Sequence, residues 1–233
     1  MKDNLTDYKE FPGPKEFFDI KTPAVFNTLI DKGMTENSFL LDVGCGPLRI
    51  GRHLIIFLSP NRYYGLEPNK KMVKLGLKNE VKKKYGSHLL QHKNPLFTYN
   101  SDFDLTDFDG VLFNIVLAHQ VFIHCGPQQL QQFLRNICPF LAPDASILLT
   151  IKIGEENFAR GTNKMYKGAS HEAVCYTEKA FHKILNQHGF LGIVVKRKKP
   201  HSIIHKKRGL IQTWFMLSSK RIDNEKESTE PIS

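Results

Sequence analysis

A glycine-rich turn followed by an acidic strand end is the feature of this sequence that points most directly to chemistry. The stretch Phe39–Pro47 is apolar in its first half and then carries Gly44 and Gly46, which is typical of a buried strand that stops at an open turn. Such a turn lets main-chain N–H groups approach a ligand that a Cβ atom would exclude. Asp42 stands at the strand end, and Glu67 ends a second strand about twenty residues later, the offset at which a carboxylate binds ribose hydroxyls. The sequence therefore predicts a nucleoside site.

The spacing of the glycines narrows the class of nucleoside. A dinucleotide fingerprint, G-x-G-x-x-G, would place its third glycine at position 49, where the chain has Arg49, and the next glycine is Gly51. Because that third glycine permits close packing of helix on strand beside a pyrophosphate, its absence weighs against nicotinamide and flavin cofactors without excluding them. No Gly-Lys-Ser/Thr follows the turn, so the sequence has no Walker-type phosphate loop. The pattern favours a nucleoside cofactor that carries no phosphate.

Two segments of the sequence resemble the class I S-adenosylmethionine-dependent methyltransferases. They are Leu41–Gly46, which reads Leu-Asp-Val-Gly-Cys-Gly, and Tyr64–Asn69, which reads Tyr-Gly-Leu-Glu-Pro-Asn, and their order and spacing agree with that family. The resemblance extends over roughly residues 20–217, and Cys45–Leu54 and Tyr63–Asn69 resemble a bacterial branch of small-molecule type. It implies an enzyme that uses S-adenosyl-L-methionine as its methyl donor.

The resemblance also implies an architecture and a domain plan. The alternation of strands and helices indicates only the α/β class. The resemblance implies a seven-stranded, mostly parallel, doubly wound sheet of order 3-2-1-4-5-7-6, with the last strand antiparallel and helices on both faces. We expect residues 1–13 to form an irregular arm, residues 14–221 the methyltransferase domain and residues 222–233 a disordered tail.

The elements that must position these residues follow from hydrophobic patterning. The fourth strand is predicted at Phe108–Leu117, a single helix at Lys70–Lys84 and a turn at Pro143-Asp144. The remaining strands of the sheet are predicted at Phe39–Val43, Tyr63–Leu66, Leu96–Tyr99, Ser146–Ile153, Leu191–Lys196 and Ile211–Leu217. The last two would form an antiparallel hairpin at the sheet edge.

On the resemblance, the cofactor contacts fall where the first four strands end. Asp102 follows the third strand, and the resemblance implies that it contacts the adenine amino group. A turn-forming aspartate remains an alternative, because Asp104, Asp107 and Asp109 follow closely in the sequence. The residues that the resemblance assigns to the cofactor are Asp42, Gly44, Cys45, Gly46, Glu67, Pro68, Asp102, Phe103, Leu117, Ala118 and His119.

Two histidines after the fourth strand are the candidate catalytic residues. Methyl transfer from a sulfonium needs mainly orientation of the two reactants, and a hydroxyl or amine acceptor gains further from a base that removes its proton. His119 and His124 are the available bases. Structural roles are equally open to them: His124 as a helix-end or core histidine, and His119 as a residue that packs beside the cofactor. An enzyme that only orients its substrates would need neither.

The motifs of two nucleic-acid methyltransferase classes are missing from the sequence. Enzymes that methylate amino groups of the adenine and glutamine type carry Asn/Asp-Pro-Pro-Tyr/Phe after the fourth strand, where residues 117–120 of this chain read Leu-Ala-His-Gln. Cytosine-C5 enzymes need a nucleophilic Pro-Cys pair. Cys138-Pro139 has the reverse order, and Cys125 has no basic sequence neighbour to lower the pKa of its thiol. These absences favour a small-molecule acceptor, most simply one that is methylated at an oxygen or nitrogen atom.

Cysteine usage and the chain ends predict a cytoplasmic protein without a metal site. The four cysteines are widely spaced and form neither a CxxC pair nor a zinc-ligand pattern, so we expect free thiols in a reducing compartment. The polar segment Met1–Glu10 is unlike a signal peptide. The longest apolar run, Leu54–Leu58, is too short to cross a bilayer, and no membrane contact is expected.

The formal net charge of +10 arises from basic residues that fall in two groups. The lysines of Lys70–Lys84 have helical spacing, which is typical of the solvated side of a helix. The stretch Lys196–Arg208 lies between two predicted strands and is a candidate site for an anionic acceptor or RNA. This charge keeps two alternatives open, an RNA-directed methyltransferase and a catalytically idle cofactor-fold protein that binds partners through its basic surface.

A polar loop is the candidate region for acceptor specificity. Glu155–Val174 leaves the carboxyl end of the predicted fifth strand and contains two glycines, and long loops at that edge often act as lids. Its basic residues could meet an acidic acceptor. The aromatic residues that could line an acceptor pocket are Tyr99, Phe122, Phe158, Tyr166, Tyr176 and Trp214.

Overall fold

The computed structural model arranges the described chain as helices and one large sheet. The chain divides into two compact units, Met1–Ile115 and Val116–Ser233. The structure describes residues 7–20, 22–155, 157, 162–163, 171–172, 174–198 and 211–219. The predicted tail, most of the loop Glu155–Val174 and most of the stretch Lys196–Arg208 therefore lie outside the described residues.

Seven of the described strands form a single sheet of order β3-β2-β1-β4-β5-β9-β8. Its strands are β1 (Leu40–Val43), β2 (Tyr63–Leu66), β3 (Leu96–Thr98), β4 (Phe113–Ala118), β5 (Leu141–Ile153), β8 (Phe190–Lys198) and β9 (Ile211–Ser219). β1, β2 and β3 pair in parallel, whereas β9 is antiparallel to both β5 and β8. Two short strands, β6 (Thr162–Asn163) and β7 (His171–Glu172), pair separately. Numbered within the sheet, this is the order 3-2-1-4-5-7-6, and the prediction is confirmed.

The first unit begins with a short arm and contains most of the helices. A 3₁₀ turn at Tyr8–Glu10 precedes α1 (Phe17–Ile20) and α2 (Thr22–Asp31). Pro23 lies in the first turn of α2, where its missing N–H removes no helical hydrogen bond. The remaining helices are α3 (Gly51–Phe57), α4 (Lys70–Gly76), α5 (Lys83–Tyr85) and α6 (Ser87–Lys93).

The single helix predicted at Lys70–Lys84 is interrupted. A wider π turn, Leu77–Lys82, separates α4 from α5. This turn contains Glu80, whose side chain is only 1 % exposed and contacts Arg52 and Tyr8. The lysine spacing alone predicts a regular helix with a solvated side. The sequence does not show that Glu80 is buried, because its partner Arg52 is distant along the chain.

The fourth strand begins later than the sequence predicts. Thr106–Phe108 is a 3₁₀ turn, and the strand starts at Phe113. Phe108 lies outside β4, and its ring packs edge-on against Tyr64 with ring centroids 5.2 Å apart. An apolar run alone cannot distinguish a strand from a turn that packs on one.

The second unit has two amphipathic helices and the antiparallel edge of the sheet. α7 (Pro127–Ile137) buries Leu130, Phe133, Leu134 and Ile137, and a 3₁₀ turn follows at Cys138–Phe140. α8 (Glu178–Gln187) is capped by Thr177, whose Oγ1 accepts the Ala180 N–H at 3.2 Å. Its Phe181 packs on Phe215 of β9 at 4.7 Å between ring centroids.

The turn predicted at Pro143-Asp144 is wrong. Both residues belong to β5, which runs without interruption from Leu141 to Ile153. The ladder between β5 and β9 begins only at Ile147, so the missing N–H of Pro143 removes no hydrogen bond from that ladder. Both side chains are exposed there, which is why their composition resembles a turn.

Among the described residues, no helix has both the length and the apolar character needed to cross a bilayer. The described helices are instead short or amphipathic. α7 illustrates this, since its buried residues recur every three or four positions and the intervening ones are polar.

Replacing Gly76 with alanine should destabilise the protein, although alanine is the better helix former by about 1 kcal/mol. A Cβ atom at Gly76 would lie 2.4 Å from the carbonyl oxygen of Pro47. Forcing an atom into a packed position costs roughly 1–3 kcal/mol, so we expect a net decrease in the free energy of unfolding. Urea unfolding measures it. In the control Gly126→Ala, the new Cβ would meet nothing closer than 3.6 Å, and a larger loss in that variant would contradict the packing argument.

Candidate cofactor site

The parallel pairing of β1 with β2 brings the glycine turn beside the end of β2. The two strands run in register from Leu40↔Tyr63 to Val43↔Leu66, so their carboxyl ends coincide. The N–H groups of Gly44 and Cys45 both donate to the Leu66 carbonyl oxygen, at 2.7 and 3.2 Å. Gly44 and Gly46 have φ angles of 67° and 52°, a left-handed conformation that glycine adopts without strain.

Glu67 closes this turn from the opposite side. Its Oε2 accepts the Gly46 N–H at 3.0 Å, and its Oε1 accepts the Asn69 N–H at 2.9 Å. The side chain is 6 % exposed; burial raises the pKa of Glu67, and the two N–H donors oppose that rise. A carboxylate offers about four acceptor positions. About half of them therefore remain for other donors, such as the hydroxyls of a ribose.

Asp42 and Gly51 contact the same tyrosine. The Tyr63 hydroxyl donates to Asp42 Oδ2 at 2.8 Å, and burial raises the pKa of Asp42 to about 7 against that hydrogen bond. A Cβ atom on Gly51 would lie 2.4 Å from the Tyr63 hydroxyl oxygen. Gly51 therefore allows α3 to pack closely on β2. A dinucleotide fingerprint assigns this role to its third glycine, which would stand at position 49, two residues before Gly51. The sequence contains a sign of this packing role, namely a glycine two residues after the expected position.

Phe11 of the N-terminal arm lies over the glycine turn, a position that the sequence did not indicate. A Cβ atom added to Gly46 would be 3.6 Å from Phe11 Cδ1 and 4.0 Å from Glu67 Oε2. The next residue of the arm, Pro12, accepts a hydrogen bond from Arg49 Nη1 at 3.4 Å. The arm thus covers the main chain that the sequence predicts to face a cofactor.

A buried charge cluster anchors this arm. Arg52, on α3, is 4 % exposed and donates to the carboxylates of Glu80 and Asp19. The Tyr8 hydroxyl also donates to Glu80, and Lys84 Nζ lies 2.7 Å from its Oε2. Burial disfavours the charged form of Glu80, but the hydrogen bonds from Lys84, Tyr8 and Arg52 outweigh it and lower the pKa to about 2. The arm is therefore bound to the first unit by charge-assisted hydrogen bonds.

The residues predicted near the adenine occupy the segment after β3. Asp102 is exposed, and Phe103 is buried with a φ angle of 60°. Lys70 Nζ lies 4.7 Å from the ring centroid of Tyr99, which is half-buried. Pro68 is exposed, and Cys45 is buried, which raises the pKa of its thiol well above the ordinary value. A neutral Cys45 thiol can serve as an apolar surface but not as a nucleophile.

In the second unit, the two predicted catalytic histidines have different surroundings. His119 directly follows β4, is 9 % exposed, and stacks on Trp214 with ring centroids 5.1 Å apart and planes 22° apart. His124 is exposed, in a turn where its N–H donates to the Val121 carbonyl oxygen at 2.9 Å. Between them, Gln120 has a φ angle of 64° and donates its N–H to Thr150 Oγ1 at 2.7 Å.

The remaining predicted residues either are buried or fall outside the described part of the chain. Leu117 and Ala118 are fully buried within β4. Burial raises the pKa of the Cys125 thiol to about 11, which agrees with its exclusion as a nucleophile. Phe158 and Tyr166 lie outside the described residues. Across the described ranges, no group of three or more His, Cys, Asp or Glu side chains could hold a metal ion.

Comparison with known proteins agrees with this geometry. The family model described as a methyltransferase domain matches residues 41–149, which include all of β1 but its first residue, the glycine turn, Glu67 and His119. No curated protein matches the chain in sequence.

Solved structures of the same fold include methyltransferases that bind S-adenosylmethionine or its product. Magnesium protoporphyrin IX methyltransferase from Synechocystis PCC 6803, solved with S-adenosylmethionine, is 16 % identical, and the alignment covers 94 % of each chain with a TM-score of 0.60. A DhpI complex with S-adenosylhomocysteine is 15 % identical over 88 % of this chain and 94 % of that one, with a TM-score of 0.53. The methyltransferase domain of a bacterial Hen1 is 15 % identical over 85 % and 97 %, with a TM-score of 0.57. At these identities the likeness establishes the fold.

Replacing Asp42 with asparagine should change how stability depends on pH. A carboxyl group whose pKa is raised by folding binds its proton more tightly in the folded chain, so its contribution to the free energy of unfolding falls as the pH rises from the ordinary value of 3.8 to about 7. We therefore expect the wild type to lose more stability than Asp42→Asn between pH 5 and pH 8. Urea unfolding at the two pH values measures the difference. The exposed Asp31→Asn serves as the control, and parallel pH profiles for wild type and Asp42→Asn would contradict the expectation.

Proposed function

We propose that this chain, which matches a methyltransferase-domain family model over residues 41–149 and has the sheet order expected of class I methyltransferases, transfers a methyl group from S-adenosyl-L-methionine to an oxygen or nitrogen atom of a small-molecule acceptor. One observation carries the proposal. The bare main chain of residues 44–46 and the buried Glu67 carboxylate meet across a single hydrogen bond, and the carboxylate keeps acceptor positions free.

The residues of this site fit the proposed cofactor. Glu67 would accept the ribose hydroxyls, and the lack of Cβ atoms at Gly44 and Gly46 would let the amino-acid part approach the main chain of the turn closely. Phe11 would shield that part from water, because it already lies over Gly46. Asp102 and Phe103 are proposed for the adenine. When bound, S-adenosyl-L-methionine supplies an activated methyl group, so the protein's task is mainly orientation.

His119 is the better of the two candidate bases. Its ring is held by stacking on Trp214, and a held ring is what proton transfer in a fixed geometry requires. His124 is exposed, so water can take or supply its proton without help from the site. We therefore assign removal of the acceptor proton to His119 and no catalytic step to His124.

A second candidate is an RNA-directed methyltransferase or an idle binding protein, and one observation favours it. Lys74, Lys78, Lys82 and Lys83 surround an open groove of about 580 Å³ with two leucines at its base. The acidic residue nearest in sequence, Glu80, is buried and pairs with Arg52 and Lys84, so it does not pair with the four lysines of the groove. Such a face attracts a polyanion. Binding of RNA with a steep salt dependence would favour this candidate. Methyl transfer to that RNA would identify the RNA-directed methyltransferase, and no methyl transfer would identify the idle binding protein.

The substitution Glu67→Ala tests the proposed cofactor site. We expect the wild type to bind S-adenosylhomocysteine in isothermal titration, and Glu67→Ala to bind it about ten- to a hundredfold more weakly, because hydrogen bonds to a charged group contribute roughly 1.5–3 kcal/mol. At a hundred times its dissociation constant the ligand should also stabilise the wild type by about 2.7 kcal/mol. The exposed Glu36→Ala is the matched control. No binding by the wild type, or equal binding by Glu67→Ala, would refute the proposal.

The substitutions His119→Asn and His124→Asn separate the two bases. With a labelled methyl donor and an extract fraction as acceptor source, we expect His119→Asn to lower turnover by about a hundredfold, the usual contribution of a general base. His124→Asn should stay within a few-fold of the wild type. Both variants should bind S-adenosylhomocysteine as the wild type does. If the double variant retained turnover within a few-fold, base assistance would be wrong.

A further inference from the structure

One face of the β5–β9 pair concentrates polar side chains in the interior of the second unit. The antiparallel register places Thr150 opposite Trp214 and Lys152 opposite Gln212. Residues two apart on a strand share a face, so these four side chains lie on the same side of the sheet. Directly opposite residues have Cβ atoms about 4.5–5.5 Å apart, which puts the Lys152 and Gln212 side chains side by side. The opposite face of β9 is occupied differently, since Phe215 packs on α8 there.

Lys152 is a buried cation without a counter-ion in the part of the chain that the structure describes. It is 7 % exposed, and it has neither a carboxylate within ion-pair distance nor a hydrogen-bond acceptor for its Nζ there. Cys175 interacts electrostatically with Lys152, and burial raises the pKa of that thiol to about 11, so it stays neutral at physiological pH. Glu178, an acid of the same unit, is bound to Arg197 at 2.8 Å.

Gln212, which lies opposite Lys152 in the β5–β9 ladder, also has a polar group without a partner among the described residues. Gln212 Nε2 is buried and has no hydrogen-bond partner among the described residues. Lys152 is mostly buried without a counter-ion among the described residues, and the Gln212 amide nitrogen is fully buried without an acceptor there. Loss of hydration on burial costs free energy in both cases. A single anionic ligand could accept hydrogen bonds from both of these adjacent donors.

We propose that Lys152 and Gln212 bind the anionic group, a carboxylate or a phosphate, of the methyl acceptor. The proposal rests on the proposed function and adds the acceptor's chemical class to it. Lys152 is one residue from the carboxyl end of β5, and ligands of open α/β sheets bind at the carboxyl ends of strands. The same face carries Trp214, which holds His119, the residue assigned to the acceptor proton. The acceptor would thus meet a cation, an amide and a base on one unit.

The first test asks whether Lys152 is structural. Methionine has a similar length and no charge, so Lys152→Met should raise the thermal midpoint by about 2 °C or more if the cation is uncompensated in the ligand-free protein. The exposed Lys183→Met makes the same change of charge on α8 and should leave the midpoint nearly unchanged. A fall in the midpoint for Lys152→Met alone would mean that the lysine stabilises the fold, and it would overturn the proposal.

The second test measures anion binding with defined probes. Benzoate and inorganic phosphate are titrated into the protein saturated with S-adenosylhomocysteine, with benzamide as the neutral match of benzoate. We expect the wild type, Lys152→Arg and Lys183→Met to bind at least one anion, Lys152→Met to bind it at least tenfold more weakly, and none to bind benzamide. Preference for benzoate or for phosphate identifies the anionic group.

The outcomes of this titration separate the two proposals. If the wild type fails to bind S-adenosylhomocysteine, the proposed function fails, and the anion titration on the protein alone still decides the role of Lys152. If the wild type and Lys152→Met bind each anion equally, or if neither anion binds the wild type, the assignment of Lys152 is wrong while the cofactor site stands. Unchanged affinity for S-adenosylhomocysteine in Lys152→Met excludes a general disturbance of the protein.

Discussion

The hydrogen bond from the Gly46 N–H to the Glu67 carboxylate is the interaction on which the candidate site depends. It joins the end of β1 to the end of β2, next to the two N–H groups that the Leu66 carbonyl oxygen accepts. It forms because no side chain separates the turn from the neighbouring strand, and because a buried carboxylate needs donors to offset its lost hydration. A cofactor bound at this candidate site would meet a carboxylate whose position is already fixed, which would lower the entropic cost of ordering it.

Two largely buried cationic side chains, Arg52 and Lys152, differ in whether a carboxylate of the described residues pairs with them. Arg52 is 4 % exposed and is neutralised by the carboxylates of Glu80 and Asp19, so its burial strengthens the attachment of the arm to α3. Lys152 is 7 % exposed, and within the described ranges it has no such partner. Burying a charge costs several kcal/mol unless it is paired. If Lys152 binds an anion as proposed, the bound anion would offset this cost.

The strands that carry the site were predictable because each is a short apolar run closed by a glycine or a carboxylate, and Tyr63–Leu66 has the predicted bounds. Their order needed the family resemblance, since periodicity does not record which strands are neighbours. The position of Phe11 was not predictable, because it depends on a charge cluster assembled from distant segments. The burial of Lys152 was not predictable for a related reason: a lone lysine in a strand resembles a solvent-facing residue until the register is known.

The contact between Gly51 and the Tyr63 hydroxyl couples positions that look independent in the sequence. Alanine fits at 51 only if the tyrosine hydroxyl is removed, and phenylalanine at 63 leaves the Asp42 carboxyl group without its donor. A third change, to a residue that needs no donor, would then be required. Among descendants of this chain the three residues should consequently vary as a set, and an isolated change at any one of them should be eliminated by selection.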